Sequence, residues 1–213
     1  MRSRRSRRRD ALLFVAWTCG ALSCAGTACP FETVTPPPGE LGMGYYFVNA
    51  SRVGDGGCAL EEVTGASFGF NLALSANPDA GEYFMTLEGN ASRGASWDGQ
   101  VVRSTESARR YFRQCTECVT RVEETIELSL LSLSQADAVG NACPADPLDG
   151  GVPAPDDAGI TPPGPRDQGF DAILACGELR TRVLVDEGLP DGGPCPAVCS
   201  ACTMTYTLAG ERR

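Results

Sequence analysis

Four stretches of this 213-residue chain alternate in character with a period of two. Phe68, Phe70, Leu72 and Leu74 interleave with Ser67, Gly69, Asn71 and Ala73; Tyr83, Met85 and Leu87 interleave with Phe84, Thr86 and Glu88. Met204, Tyr206 and Leu208 do so with Thr203, Thr205 and Thr207, while Leu179, Val183 and Val185 share a face opposite Arg180 and Arg182. Successive side chains of a strand point to opposite sides, so each stretch reads as a strand with one dry face and one wet face. Gly89-Asn90 and Asp98-Gly99 supply turn residues between such runs. The expected fold is all-β, an antiparallel β-sandwich or open barrel of about seven to nine strands.

The segment after Cys118 fits two periods. Val119, Val122, Ile126, Leu130 and Leu133 suit a helix, whereas Val122, Ile126, Leu128 and Leu130 suit a strand. Its early threonines and β-branched residues favour the strand. A long strand followed by one short helix within Leu130 to Ala138 is expected. Residues 141–169 hold seven of the fifteen prolines and almost no large apolar side chain, which describes a mobile, disordered surface loop.

Eleven cysteines are too many for a reduced cytosolic chain of this size and point to an oxidising setting. Cys29, Cys58, Cys115, Cys118, Cys143, Cys176, Cys195, Cys199 and Cys202 are the disulfide candidates, and spacing does not give their connectivity. Cys115-Thr116-Glu117-Cys118 and Cys199-Ser200-Ala201-Cys202 admit two other readings. Four thiolates from two such pairs can hold zinc. A single pair at a helix amino terminus can run thiol–disulfide exchange. Structural bridges are the expectation, with no metal and no cofactor.

The chain contains neither histidine nor lysine; all 18 basic residues are arginine. That excludes a histidine general base, a Ser-His or Cys-His nucleophile pair, a lysine Schiff base and the P-loop lysine. Carboxylate chemistry remains open. Glu124 shares its strand face with Val122, Ile126, Leu128 and Leu130, and a carboxylate among apolar residues needs a partner or a shifted pKa. It either pairs with an arginine or belongs to a site with a second, facing carboxylate, as a glycosidase requires.

The first residues have the order of an export leader: Arg2, Arg4, Arg5 and Arg7 to Arg9, then the apolar run 11–17, then small residues. The apolar run is too short and interrupted for a permanent span. Ala21-Leu22-Ser23-Cys24 resembles the bacterial lipobox, which implies cleavage before Cys24 and its acylation. Pro36-Pro37-Pro38 follows as a stiff spacer. Leader, spacer and lysine-free composition together resemble exported lipoproteins of GC-rich bacteria of myxobacterial type. The resemblance implies export and a membrane lipid anchor at the cell envelope, and carries no activity with it.

The expected organisation is a signal peptide at 1–23, an anchor cysteine and spacer at 24–44, and one β domain at 45–213. Losing residues 1–23 removes six arginines and Asp10, leaving twelve arginines against 26 acidic groups, a net charge of −14. Such a body repels phosphate backbones, so nucleic acid is not an expected partner. Trp97, beside the Asp98-Gly99 turn, is a candidate for stacking on a sugar. Arg109, Arg110 and Arg113 are candidates for gripping an anion, or for guarding a sheet edge. The expected function is a non-catalytic surface or envelope protein binding a protein or glycan through loops or a sheet edge. The alternative is a thiol oxidoreductase or zinc module built on the two Cys-x-x-Cys pairs.

Overall fold

The computed structural model describes residues 38–54, 58, 65–115, 118–155, 159–166, 169–187 and 195–213. The leader, Cys24 and Cys29 lie outside the described residues. The strands are β1 (Leu41–Val53), β2 (Ser67–Asn77), β3 (Glu82–Leu87), β4 (Arg93–Trp97), β5 (Val101–Arg110) and β6 (Val119–Ser132). After them come α1 (Leu133–Ala138), the short β7 (Pro165–Arg166) and β8 (Gly169–Phe170), then β9 (Ala172–Glu187) and β10 (Cys202–Arg212). Strands β1 to β6, β9 and β10 form a closed barrel of eight antiparallel strands, each paired with its neighbours in sequence. β10 closes onto β1, Tyr46 opposite Arg212 and Val53 opposite Thr205. β7 and β8 make a separate two-stranded hairpin.

Closure corrects one expectation. The barrel has no free sheet edge, so the arginines near residue 110 guard none and no partner strand can add there. The barrel also starts earlier than the spacer was expected to end. Residues 41–44 already belong to β1, because Leu41 packs against the core and Met43 is buried in it. β1 shifts register on β2 between Gly42 and Gly44. The Gly44 φ of 143° suits glycine, and a Cβ there would strike the Tyr46 ring.

The two-residue period decides what fills the barrel. Leu72, Leu74, Met85, Ile126, Leu128, Leu130, Met204 and Leu208 point inward and are buried. Gly177 lies opposite Leu128 in the β6–β9 ladder, where a side chain would strike the Glu127 carbonyl. The outer wall carries Arg103 paired with Glu127 at 2.9 Å, and Arg182 with Glu123 at 3.6 Å. Charges outside and aliphatics inside are the reverse of a lipid-facing barrel, so this wall faces water.

One end of the barrel is closed by chain. Phe170, at the end of β8, packs edge-to-face on Trp97 with ring centroids 6.0 Å apart. Arg212 Nη1 donates to the Phe170 and Ala172 carbonyls. The described parts of the connection 133–171 lie across this end. Ser132 N-caps α1 in a capping box with Gln135, and Gln135 Nε2 donates to Pro153 O at 3.1 Å. Ser129 Oγ donates to Pro147 O and Ser132 Oγ to Thr161 O, both at 2.6 Å. The described part of the proline-rich segment, expected to be loose, thus has little regular structure yet is pinned by these bonds and by the Cys143–Cys176 bridge.

Candidate functional site

The other end of the barrel is a mouth. β1, β3, β5 and β9 end there, and β2, β4, β6 and β10 begin there. Below them is a cavity of about 480 Å³, lined by Phe68, Phe70, Leu87, Ile126 and Leu179 on its apolar side. Glu88, Arg93, Glu106, Arg110 and Glu124 line its polar side. A neighbouring lobe of about 340 Å³ shares Phe68, Arg110, Glu124 and Leu179, and adds Met204 and Tyr206. Phe68 stacks on Phe70 at 5.9 Å and meets the Tyr206 ring edge-on at 5.2 Å. These are the inward residues of the alternating stretches, continued past the filled part of the barrel. Phe68 is 42% exposed for that reason.

The polar side is built by strand register. Glu106 on β5 stands directly opposite Glu124 on β6. Arg93, at the start of β4, reaches between them: its Nε lies 3.3 Å from Glu106 Oε2 and its Nη2 3.6 Å from Glu124 Oε2. The Arg93 side chain is only 8% exposed, against 53% for Glu106 and 37% for Glu124. Among the described residues neither its Nε nor its Nη1 makes a hydrogen bond. A buried donor without an acceptor costs about 1–3 kcal/mol, so a folded chain rarely keeps one unless something else satisfies it.

Glu124 therefore has the arginine partner that its sequence position called for, and a facing carboxylate as well. The guanidinium occupies the space between the two carboxylates, where a two-carboxylate hydrolase leaves room for substrate. Arg110 also faces the lumen, and Thr120 Oγ1 donates to its carbonyl. Arg109 and Arg113 are exposed near the same rim. Trp97 does not join them: it sits at the closed end, half-buried against Phe170. The structure thus separates Trp97 from the arginines with which it was grouped as a contact surface.

The cysteines shape the mouth. Cys115 bridges Cys199, Cys118 bridges Cys195, and Cys58 bridges Cys202, with Cα separations of 5.7, 6.0 and 5.2 Å. These fall within the ordinary range for disulfides. Each Cys-x-x-Cys motif is spent on the other side of the barrel mouth rather than within itself. The four sulfurs expected as zinc or redox candidates, on Cys115, Cys118, Cys199 and Cys202, are all engaged. Phe112, Val122 and Val183 pack around Cys115, Cys118 and Cys199 in a small apolar cluster.

Two parts of the site escaped the sequence reading, Arg93 and Glu106. Residues 101–110 carry Ser104, Glu106 and Arg110 on their inward face, so the apolar alternation that marks the other strands is missing. The usable signal was the turn at Asp98: its Oδ1 accepts from the Gln100 and Val101 amides at 3.0 and 2.7 Å and sets the phase of β5. Comparison with known proteins found no matching family model, no matching curated protein and no matching solved structure.

Proposed function

We propose that this protein is a non-catalytic binding module of the cell envelope whose ligand enters the mouth of the barrel. An eight-stranded barrel is just wide enough to be filled by side chains or to hold one small ligand, and barrel mouths are common ligand sites. The observation that carries this reading is the buried Arg93, whose Nη1 lacks an acceptor beside a cavity with an aromatic wall. Export is supported by four disulfides, which match an extracellular, oxidising location. The lipobox-like Ala21-Leu22-Ser23-Cys24 and the prolines after it would tether the barrel to a membrane through acylated Cys24.

The reading favours a ligand inside the barrel over a protein or glycan on its loops, because the separated Trp97 and arginines do not make one surface. Thiol exchange at the Cys-x-x-Cys motifs would first require opening bridges whose sulfurs at Cys115, Cys118 and Cys199 are buried.

Nile red, an uncharged dye that brightens in apolar surroundings, tests the cavity. Saturable one-to-one binding is expected, weakened about tenfold by Phe68→Ala, which removes much of the apolar wall. A flat titration would overturn the reading. Intact mass tests the tether: a diacyl or triacyl adduct on a chain beginning at Cys24 is expected, and an unmodified Cys24 would remove the anchor.

A further inference from the structure

Resting on that reading, we infer that the ligand is an uncharged amphipathic molecule: an apolar body with a head group that both accepts and donates hydrogen bonds, a primary amide being the simplest case. The body follows from the wall. Phe68, Phe70, Ile126 and Leu179 offer apolar surface and no hydrogen bonds. The head follows from the charges at the polar side and from which of them are already satisfied.

Arg93 Nη1 is a donor in need of an acceptor. An anion is the obvious acceptor elsewhere, since arginine forks match carboxylates. Here the guanidinium already lies against Glu106 at 3.3 Å and Glu124 at 3.6 Å, so its single charge is matched by two carboxylates. A carboxylate head reaching Nη1 would therefore meet a guanidinium whose charge Glu106 and Glu124 already offset, with both like charges nearby. An ammonium head fares no better: Arg93 already engages Glu106 and Glu124, Glu88 accepts from Asn71, and Arg110 adds a like charge to the same cavity. A neutral carbonyl oxygen accepts from Nη1 without adding charge. An N–H beside it can donate to Glu106 or Glu124, both of which are partly exposed to the lumen. The mouth thus selects against charge of either sign, by unpaired like charges rather than by shape.

The test uses the full chain in its oxidised form, with three probes that share one tail: octanamide, octanoate and octylamine at pH 7, each competing against Nile red. Octanamide is expected to displace the dye at about tenfold lower concentration than either charged probe. In the Glu106→Gln, Glu124→Gln double variant, Arg93 loses its balancing charges, and octanoate is expected to gain about tenfold and overtake the amide. Octanoate or octylamine binding the wild type as tightly as octanamide would overturn the inference while leaving the cavity reading intact. Failure of all three probes to displace bound Nile red would do the same. Absence of Nile red binding itself is the separate failure of the cavity reading. Should the double variant not fold, the wild-type ranking of the three probes alone decides.

Discussion

The two ends of this barrel are held by different means. The closed end is filled: Met43, Tyr46, Leu74, Leu130 and Phe170 are buried, and described parts of the chain between α1 and β8 are bonded across that end. Among the described residues one disulfide, Cys143–Cys176, helps there. The open end leaves its lumen unpacked beneath the mouth and carries three bridges among the described residues. Side chains that fill a barrel stabilise it by removing apolar surface from water, but they leave no room for a ligand. Covalent bonds across the rim stabilise the fold without occupying the lumen. The difference teaches that disulfides here stand in for a core where a core would fill the cavity.

The largest test of this contrast removes the paired clamps. Replacing Cys115, Cys118, Cys195 and Cys199 by serine should cost about 2–5 kcal/mol for each of the two bridges lost. Ligand binding should fall further than in a Cys143→Ser, Cys176→Ser variant. Denaturant melts read together with Nile red titrations check this, and equal loss of binding in both variants would contradict it. Next come matched truncations at the two ends. Leu130→Ala, in the filled end, should cost about 2–5 kcal/mol. Phe68→Ala, at the mouth, should cost only about 1 kcal/mol, because much of that ring is already in water.

A smaller effect comes from Tyr46. Its hydroxyl donates to Met43 O at 3.1 Å, with Ala172 O at 3.4 Å, and burial raises its pKa well above the ordinary phenol value, Arg212 opposing. The neutral form is thus favoured in the folded chain. Its contribution is fully present below a pH of about 10, where the unfolded phenol titrates, and is lost as pH rises beyond that. Tyr46→Phe should lower stability by about 1 kcal/mol at neutral pH and flatten the alkaline limb of the stability curve. An unchanged alkaline limb would mean the closed end is not sealed around this phenol. The smallest expected effect is at the β4–β5 turn. Burial pushes the Asp98 carboxyl up, but the Val101 amide, Arg103 and the Gln100 amide outweigh it and hold the pKa below the usual carboxylate value. What Asp98 contributes is present above that usual value and fades as the pH falls below it. Asp98→Asn should cost about 1 kcal/mol or less at neutral pH and weaken the acid dependence, measured by thermal melts from pH 7 down to about 3.

Much of this architecture could be read along the chain. Phe68, Phe70, Leu72 and Leu74 declared their face by spacing, as did Met204, Tyr206 and Leu208, and the strand-then-helix expectation for 119–138 matches β6 and α1. The site was only half legible. Phe68, Arg110 and Glu124 could be singled out, because one sat in a clear alternation, one in a charged run and one among apolar neighbours. Arg93 and Glu106 carried no local sign, and Trp97 was grouped with residues at the opposite end of the barrel.

Local order along the chain determined which residues form strands, which face of each is dry, and that so many cysteines suit an oxidising place. Whether the sheet would close, which cysteine would meet which, and that Arg93 would lie between Glu106 and Glu124 were decided only by tertiary structure. The physical reason is that spacing encodes the two sides of a strand, a property of adjacent residues. Closure, bridging and the charge triad depend on pairings between strands that are distant in the chain, and those are chosen by the packing of the whole barrel.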